Sequence, residues 1–280
     1  MADPNLESSE TATPKFDPEC KFVTSYLVSP TTLAGIRLLL ALFTLVTLLF
    51  TIIWQEVKTD GAEGYFSYFT NLTFVGLCAY FFASGTQTFA YSRSCNKGGA
   101  NSDRPTYPLQ RWHRVFQYLH VLLYTTIATF PIIVTVVYWA LLSSSSSFTP
   151  PFNAFSNVSK HALNSVFALF EVLFTNVGPL PWLDLPVTIV LLCGYLGVAY
   201  ITHATQGFYP YSFLDPKRQG AKLAAYIIGI AVGQVIVFVA AWGIIKLREH
   251  LVLSKKKASE ASMGAGSEPK VNAPTTVERT

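Results

Sequence analysis

The sequence predicts an all-α membrane protein, a polytopic bundle of about six transmembrane helices. Two observations lead to this fold class. The 280-residue chain is 51% apolar and only 13% charged, whereas soluble domains carry about 25% charged residues, and its mean hydropathy is +0.37. The charges lie mainly in the terminal segments and in one central segment. This composition excludes a disordered chain, a secreted disulfide scaffold and an ordinary soluble enzyme.

Six stretches approach the length and hydropathy that a membrane-crossing helix needs, which is about 20 mostly apolar residues. The second and fourth are the least apolar. The spans are predicted at residues 32–54, 64–85, 115–142, 160–178, 186–204 and 220–245. They form a transmembrane domain over residues 32–246, between a disordered N-terminal tail, 1–31, and a disordered basic C-terminal tail, 247–280.

The distribution of lysine and arginine predicts that both termini are cytoplasmic. With six spans, the two tails and the loops after spans two and four share one side and hold most of the basic residues. The opposite side carries a smaller set, which is Lys58, Lys160, Lys217, Arg218 and Lys222.

Cysteine spacing predicts neither a metal site nor a disulfide framework. Cys78 and Cys193 lie inside apolar runs, and Cys20 and Cys95 show no ligand-type spacing to them or to each other. We expect no cofactor and no metal. The net charge of +4 is explained by the tails and the central loop, so the expected partners are membrane lipids and not nucleic acid.

The fourth span carries a stripe of residues spaced by three or four, which a helix places on one face. Ionisable groups inside a span are costly and often functional, although asparagine and threonine also bond between packed helices. The stripe consists of His161, Asn164, Ala168, Glu171 and Thr175.

Arg37 is the one charged residue inside the first span. Its side chain is a candidate ion-pair partner for Glu171, because both residues point toward the same half of the bundle. The alternative is that Arg37 extends to the lipid headgroups.

The second span begins with a polar face of Ser67, Thr70 and Asn71, at positions i, i+3 and i+4. This helix enters from the outer side, so we expect Thr70 about two turns below that surface, at a depth similar to that of His161. A hydroxyl and an imidazole at one depth can form a nucleophile and base pair. Hydroxyls in membrane helices also commonly bond their own backbone.

The fifth span ends near His203, and the loop after it contains Tyr209 and Tyr211. This order places a second imidazole and two phenols at the outer surface, near Thr70 and His161. The alternative for the tyrosines is an interfacial aromatic belt, and His203 could equally cap its helix or face solvent.

Two segments resemble a known family. Residues 160–167, KHALNSVF, resemble the N-H-x-M-H-T-T helix of the androgen-induced and androgen-dependent transmembrane protein family. Residues 195–215, YLGVAYITHATQGFYPYSFLD, are similar to its Y-x-x-W-x-x-x-V-H-H-x-T-G-x-W-V-Y-P-F-L signature. Members are intramembrane threonine hydrolases of fatty-acid esters of hydroxy fatty acids. The resemblance implies a lipid-ester substrate and an endomembrane location such as the endoplasmic reticulum, with the plasma membrane as the alternative.

The resemblance also implies roles for individual residues. His161 stands where the family has its catalytic histidine. The family's threonine lies in an F-L-T-F-[ILN]-[DN]-L segment, matched here at the start of span two. Anchoring on Asn71 puts Tyr68 at that position, and a small shift offers Ser67 or Thr70. We choose Thr70 as the nucleophile and His161 as the base.

Other polar residues of these segments are expected to bind substrate or support catalysis, for example by stabilising an oxyanion. They are Ser67, Asn71, Asn164, Glu171, His203, Tyr209 and Tyr211. The start of span two is also similar to rolling-stone-type membrane proteins, for which no catalysis is implied. The alternative function is a non-enzymatic membrane protein that binds, signals with or carries a lipid.

Overall fold

The computed structural model describes residues 16–59, 62–97 and 104–265, and all regular structure in these ranges is helical. The predicted all-α class is confirmed. Two turns of π-helix, Tyr138–Leu142 and Ser159–Leu163, extend the third helix and join the fourth to the fifth. The α-helices are α1 (Pro30–Thr59), α2 (Phe69–Lys97), α3 (Arg114–Val137), α4 (Pro151–Val158), α5 (Asn164–Phe174), α6 (Asp184–Gln206), α7 (Pro216–Gln219) and α8 (Lys222–Ala265).

Four helices in the described part of the chain are long and apolar enough to cross a membrane. They are Pro30–Lys58, Arg114–Leu142, Asp184–Gln206 and Lys222–Lys255. Large apolar side chains on these helices point outward, among them Leu39, Val190 and Ile236, each more than 60% exposed. A continuous exposed apolar surface of this kind is typical of a protein surrounded by lipid. These observations support an integral membrane protein.

The second predicted span is less apolar than the others, and its polar residues point into the protein. Thr70, Ser84, Gln87 and Thr88 of α2 are all buried. The helix also begins later and ends later than the predicted span of residues 64–85. The fourth predicted span, 160–178, corresponds to a longer segment that starts at Pro151 and ends at Phe174.

The structure differs from the sequence prediction in both tails. Residues 16–29, expected to be disordered, are held by Asp17, whose carboxylate accepts hydrogen bonds from the backbone N–H of Lys21 (2.8 Å) and Phe22 (3.0 Å). At the other terminus α8 continues to Ala265, through lysine, alanine and glutamate residues of high helix propensity. Residues 1–15 and 266–280, also predicted to be disordered, lie outside the described residues.

Contacts between loops define two ends of the bundle. We call the first the N-segment end; it comprises residues 16–28, 104–113, 175–183 and the part of α8 around Arg248. The backbone N–H of Asn176 donates to the carbonyl of Thr24 (3.0 Å). The guanidinium of Arg248 donates to the carbonyls of Val172, at 2.6 Å, and Val177. These bonds join the N-terminal segment, the end of α5 and α8.

We call the opposite end the Lys160 end; it comprises residues 62–68, 159–163 and 207–215. The hydroxyl of Tyr195 donates to the carbonyl of Ser67 (3.1 Å), and the hydroxyls of Thr202 and Ser67 are 2.9 Å apart. Gly207, in a left-handed conformation with φ of 79°, ends α6 and turns the chain into the 207–215 segment. This segment covers the start of α2.

The N-segment is packed against the loop before α3. The hydroxyl of Tyr107 donates to the carboxylate of Asp17 (2.6 Å), and Cys20 packs with Val23 and Leu109 in a small buried cluster. Burial, followed by the negative charge of Asp17, raises the pKa of the Tyr107 hydroxyl well above its ordinary value. Tyr107 therefore stays protonated and remains a donor to Asp17 across the physiological pH range.

Candidate functional site

A cavity of about 110 Å³ lies at the Lys160 end, between α3, α6, α8 and the 207–215 segment. Its walls are apolar. They include Ile133, Val134, Val137, Leu142, Ile189, Leu192, Leu196, Ile227, Ile230 and Ala231. One end of the cavity is polar and contains Thr70, Tyr138, His161 and Tyr211. Both residues predicted to be catalytic therefore line one cavity.

Thr70 lies in the first turn of α2. Its backbone N–H, which has no partner inside the helix, donates to the hydroxyl of Tyr211 at 3.2 Å. Its side-chain hydroxyl is also 3.2 Å from the Tyr211 oxygen. The span was predicted to begin at residue 64, whereas the helix begins at Phe69 after a short 3₁₀ segment, Ala62–Ser67. Tyr211 is thus the hydrogen-bond partner of Thr70.

His161 lies in the π-helical turn between α4 and α5. Its ring stacks on Tyr138 with centroids 3.7 Å apart and planes 7° from parallel. The imidazole is only 7% exposed, and its Nδ1 has no hydrogen-bond partner among the described residues. No hydrogen bond joins His161 to Thr70 within the part of the chain that the structure describes. The two residues share the cavity but do not form the contact that a nucleophile and its base require.

Tyr138 resembles His161 in its surroundings. Its side chain is 6% exposed, and its hydroxyl likewise has no partner among the described residues. Two residues that line the cavity therefore each carry a buried polar atom, Tyr138 Oη and His161 Nδ1, without a partner among the described residues. Buried polar atoms are nearly always hydrogen-bonded, and leaving one unpaired costs about 1–3 kcal/mol. Such atoms are the ones that a ligand can satisfy.

Lys160 is buried next to this site, although the sequence analysis assigned it to the outer surface. It is 4% exposed. Its amine donates to the side-chain oxygen of Asn71 (2.8 Å) and to the hydroxyl of Tyr65 (3.1 Å), and it lies 4.6 Å from the centre of the Tyr65 ring. Lys160 stands at the edge of an apolar run, where a lysine commonly extends to the lipid headgroups. The sequence therefore gives no indication that its side chain is buried.

The other predicted supporting residues divide between the site and its surroundings. Asn71 bonds Lys160 and the carbonyl of Tyr65 (2.7 Å), and it does not line the cavity. Asn164 donates to the carbonyl of Pro131 (3.3 Å). It therefore links α5 to α3. The hydroxyl of Ser67, three residues before Thr70, bonds the hydroxyl of Thr202.

His203 and Tyr209 lie away from the cavity. The His203 side chain is exposed and stacks on Tyr209, with centroids 3.9 Å apart. Thr202, the residue before His203, points into the protein instead. Of the three aromatic residues predicted near Thr70, only Tyr211 joins the site.

Arg37 and Glu171 form a fully buried ion pair near the N-segment end. The guanidinium binds the carboxylate with two parallel hydrogen bonds of 2.8 and 2.7 Å, and both side chains are 0% exposed. The hydroxyl of Tyr80 donates to Glu171 (2.9 Å). Arg37 also donates to the carbonyl of Phe22 (2.8 Å) and the hydroxyl of Thr88 (2.6 Å). The pair is thus fully hydrogen-bonded by protein groups.

The whole predicted stripe of the fourth span is buried. His161 at one end lines the cavity, while Glu171 and Thr175 at the other lie in the ion-pair region. Glu171 therefore pairs with Arg37 and does not line the cavity. Within residues 16–59, 62–97 and 104–265, no group of His, Cys, Asp or Glu side chains is arranged to hold a metal.

Comparisons with family models, with curated proteins and with solved structures found no match.

Proposed function

We propose that this chain is a six-span membrane protein that binds a single-chain lipid in the cavity at the Lys160 end. One observation carries the proposal. The cavity has apolar walls, and its lining includes Tyr138 and His161, whose Oη and Nδ1 atoms are buried and have no partner in the described residues. A lipid supplies an apolar chain for the walls and a polar head for these atoms.

The cavity is accessible from the side that faces lipid. Cys193 of α6 lines the cavity and is itself exposed, and the residues beside it on α6, including Val190, face outward. This exposure favours a route of entry along α6, from the bilayer and not from water.

The arrangement of the loops supports the six-span topology. The helical segments alternate between the N-segment end and the Lys160 end along the chain, so each of the two less apolar segments also runs from one end to the other. With the basic residues at the N-segment end, the positive-inside rule places both termini in the cytoplasm, here of an endomembrane such as the endoplasmic reticulum.

Cys95 provides a test of this topology, because it is exposed and lies in the last turns of α2. A membrane-impermeant maleimide should label it once the plasma membrane alone has been permeabilised. The variant Cys95→Ser is the control and should remove the label. Labelling that requires permeabilisation of internal membranes would contradict the orientation.

Lipid binding is tested with a photoreactive single-chain lipid. Ile230→Trp places a large ring in the cavity wall and should abolish crosslinking to α6 and α8. Ile228→Trp is the matched control, because Ile228 lies on the same helix and is 62% exposed. Equal crosslinking in both variants would show that the lipid binds elsewhere on the surface.

A second candidate function is ester hydrolysis, which the placement of Thr70 and His161 in one cavity favours. In this mechanism His161 takes the proton of the Thr70 hydroxyl as its oxygen attacks the ester carbonyl. The alcohol leaves with that proton. Water, again deprotonated by His161, then releases the acid and restores Thr70. The hydroxyl of Tyr211 lies close enough to Thr70 to donate to the oxyanion.

The hydrolase is tested by ester cleavage in purified protein and by labelling with a fluorophosphonate. Thr70→Ala and His161→Ala should each lower turnover about 100-fold or more, and Thr70→Ala should also remove the label. Thr73→Ala is the control, since the Thr73 hydroxyl only donates to the carbonyl of Thr70. Unchanged turnover in Thr70→Ala or His161→Ala would contradict this candidate and leave lipid binding intact.

A further inference from the structure

The polar end of the cavity is rich in hydrogen-bond donors. Thr70, Tyr138 and Tyr211, which line it, each carry a hydroxyl. None of the described residues that line the cavity carries a carboxylate. A site of this composition favours a ligand head that accepts hydrogen bonds, such as a carbonyl or a carboxylate.

Lys160 is a buried amine that directly precedes the lining residue His161. Its two hydrogen-bond partners, Asn71 and Tyr65, are both neutral. Within the described residues no carboxylate forms an ion pair with it. An ammonium has three N–H donors, and these contacts use two of them. A buried cation without a counter-charge is strongly unfavourable unless another group supplies one.

The chain connects Lys160 directly to the cavity. Lys160 precedes His161 in the same π-helical turn, and its partner Asn71 follows Thr70 in α2. His161 and Thr70 both line the cavity, whereas Lys160, Asn71 and Tyr65 do not, so the amine is separated from the cavity by the residues that line it. Apolar surroundings screen charge much less than water does, so an anion at this end is attracted across the intervening side chains.

We infer that the polar end of the cavity binds a carboxylate, and that the bound lipid is a free fatty acid whose charge is balanced by Lys160. The inference rests on the proposed lipid-binding function and specifies the class of its ligand. The carboxylate accepts hydrogen bonds from the hydroxyls of Thr70, Tyr138 or Tyr211. The acyl chain lies along the apolar walls toward Cys193.

The test compares lipids that differ only in the head. Full-length protein in phosphatidylcholine nanodiscs is titrated with oleic acid, methyl oleate or oleyl phosphate, in competition with the photoreactive lipid. We expect oleic acid to bind about tenfold tighter than methyl oleate, because only the acid carries a negative charge that the Lys160 ammonium attracts. Lys160→Met should remove this preference and leave the affinity for methyl oleate unchanged.

Two further variants keep the test decisive. Lys160→Arg retains the charge and should retain the preference for the acid. Lys222→Met, which removes an exposed lysine at the same end, should change nothing. Equal loss of acid and ester in Lys160→Met, with no rescue by Lys160→Arg, would assign Lys160 a structural role and overturn the inference.

The remaining outcomes are also informative. If wild-type protein binds acid and ester equally, the head is not recognised by charge and the inference fails, while lipid binding stands. Tighter binding of oleyl phosphate than of oleic acid would indicate a phosphate site and overturn the carboxylate assignment. Absence of binding for all three lipids would overturn the proposed function itself.

Discussion

Arg37 and Lys160 are both buried basic residues, but their partners differ in kind. Arg37 binds Glu171 through two hydrogen bonds, and its remaining donors reach Phe22 and Thr88. Among the described residues Lys160 bonds an amide oxygen and a phenol, and it directly precedes His161, which lines the cavity. Burial therefore does not separate a structural charge from a functional one. The identity of the partner does, because a neutralised charge has nothing left to offer a ligand.

The largest expected effect is a loss of stability when the ion pair of Arg37 and Glu171 is broken. Glu171→Gln leaves the guanidinium buried without a counter-charge, so we expect a loss of about 3–5 kcal/mol in the free energy of unfolding. Denaturant titration in detergent measures it. The double variant Arg37→Met, Glu171→Leu should recover much of this loss, since it removes both charges. A double variant as unstable as the single one would show that the two residues do not act as a pair.

Replacement of Lys160 should change the free energy of unfolding much less than replacement of Glu171. Lys160→Met breaks two hydrogen bonds to neutral partners but also removes an amine whose burial is unfavourable. We therefore expect its unfolding free energy to change by only about 1 kcal/mol, measured in the same denaturant titration without added lipid. A loss as large as that of Glu171→Gln would mean that Lys160 is as structural as Arg37, and the contrast between the regions would disappear.

Removal of the Tyr138 hydroxyl should have opposite effects on stability and on lipid binding. Its hydroxyl has no partner in the described protein, so Tyr138→Phe should raise the stability of the lipid-free protein slightly, by up to about 1 kcal/mol. The same change should weaken binding of a lipid head a few-fold. Thermal unfolding with and without oleic acid reports both effects. A loss of stability in the lipid-free protein would indicate that the hydroxyl already has a structural role.

The smallest expected effect concerns the contact that closes the N-segment end. Tyr107→Phe removes the hydrogen bond to Asp17 and should lower stability by about 1 kcal/mol. Because the pKa of Tyr107 is raised in the folded protein, this contribution is fully present below the unfolded value of about 10. It is lost as pH rises toward the folded pKa. A difference between wild type and Tyr107→Phe that already varies between pH 6 and 8 would contradict this assignment.

The features that were predicted correctly from the sequence are those that follow from regular helical periodicity. The stripe from His161 to Thr175 is buried along its length because a helix repeats its faces regularly, and Arg37 and Glu171 lie in contact as the stripe suggested. The helical class and the four most apolar helices follow from hydropathy in the same way.

Irregular local structure explains where the sequence was less informative. The 3₁₀ segment before α2 moved Thr70 from the second turn to the first. The π-helical turn after α4 buries Lys160 beside His161, whereas the end of α6 exposes His203 and buries Thr202. Such local deviations depend on tertiary contacts, for example those of Tyr211, which no pattern within one helix encodes.

The length of α8 has a further geometric consequence. It contains 44 residues, which at 1.5 Å per residue is about 66 Å, while a bilayer with its headgroups is about 40–45 Å thick. The predicted sixth span ends at residue 245, before Lys246, so the twenty residues from 246 to 265 extend about 30 Å further as helix. A fluorophore attached after Ala265 would be held at a defined height from the membrane plane by a rigid rod, and energy transfer to labelled lipids would measure that height directly.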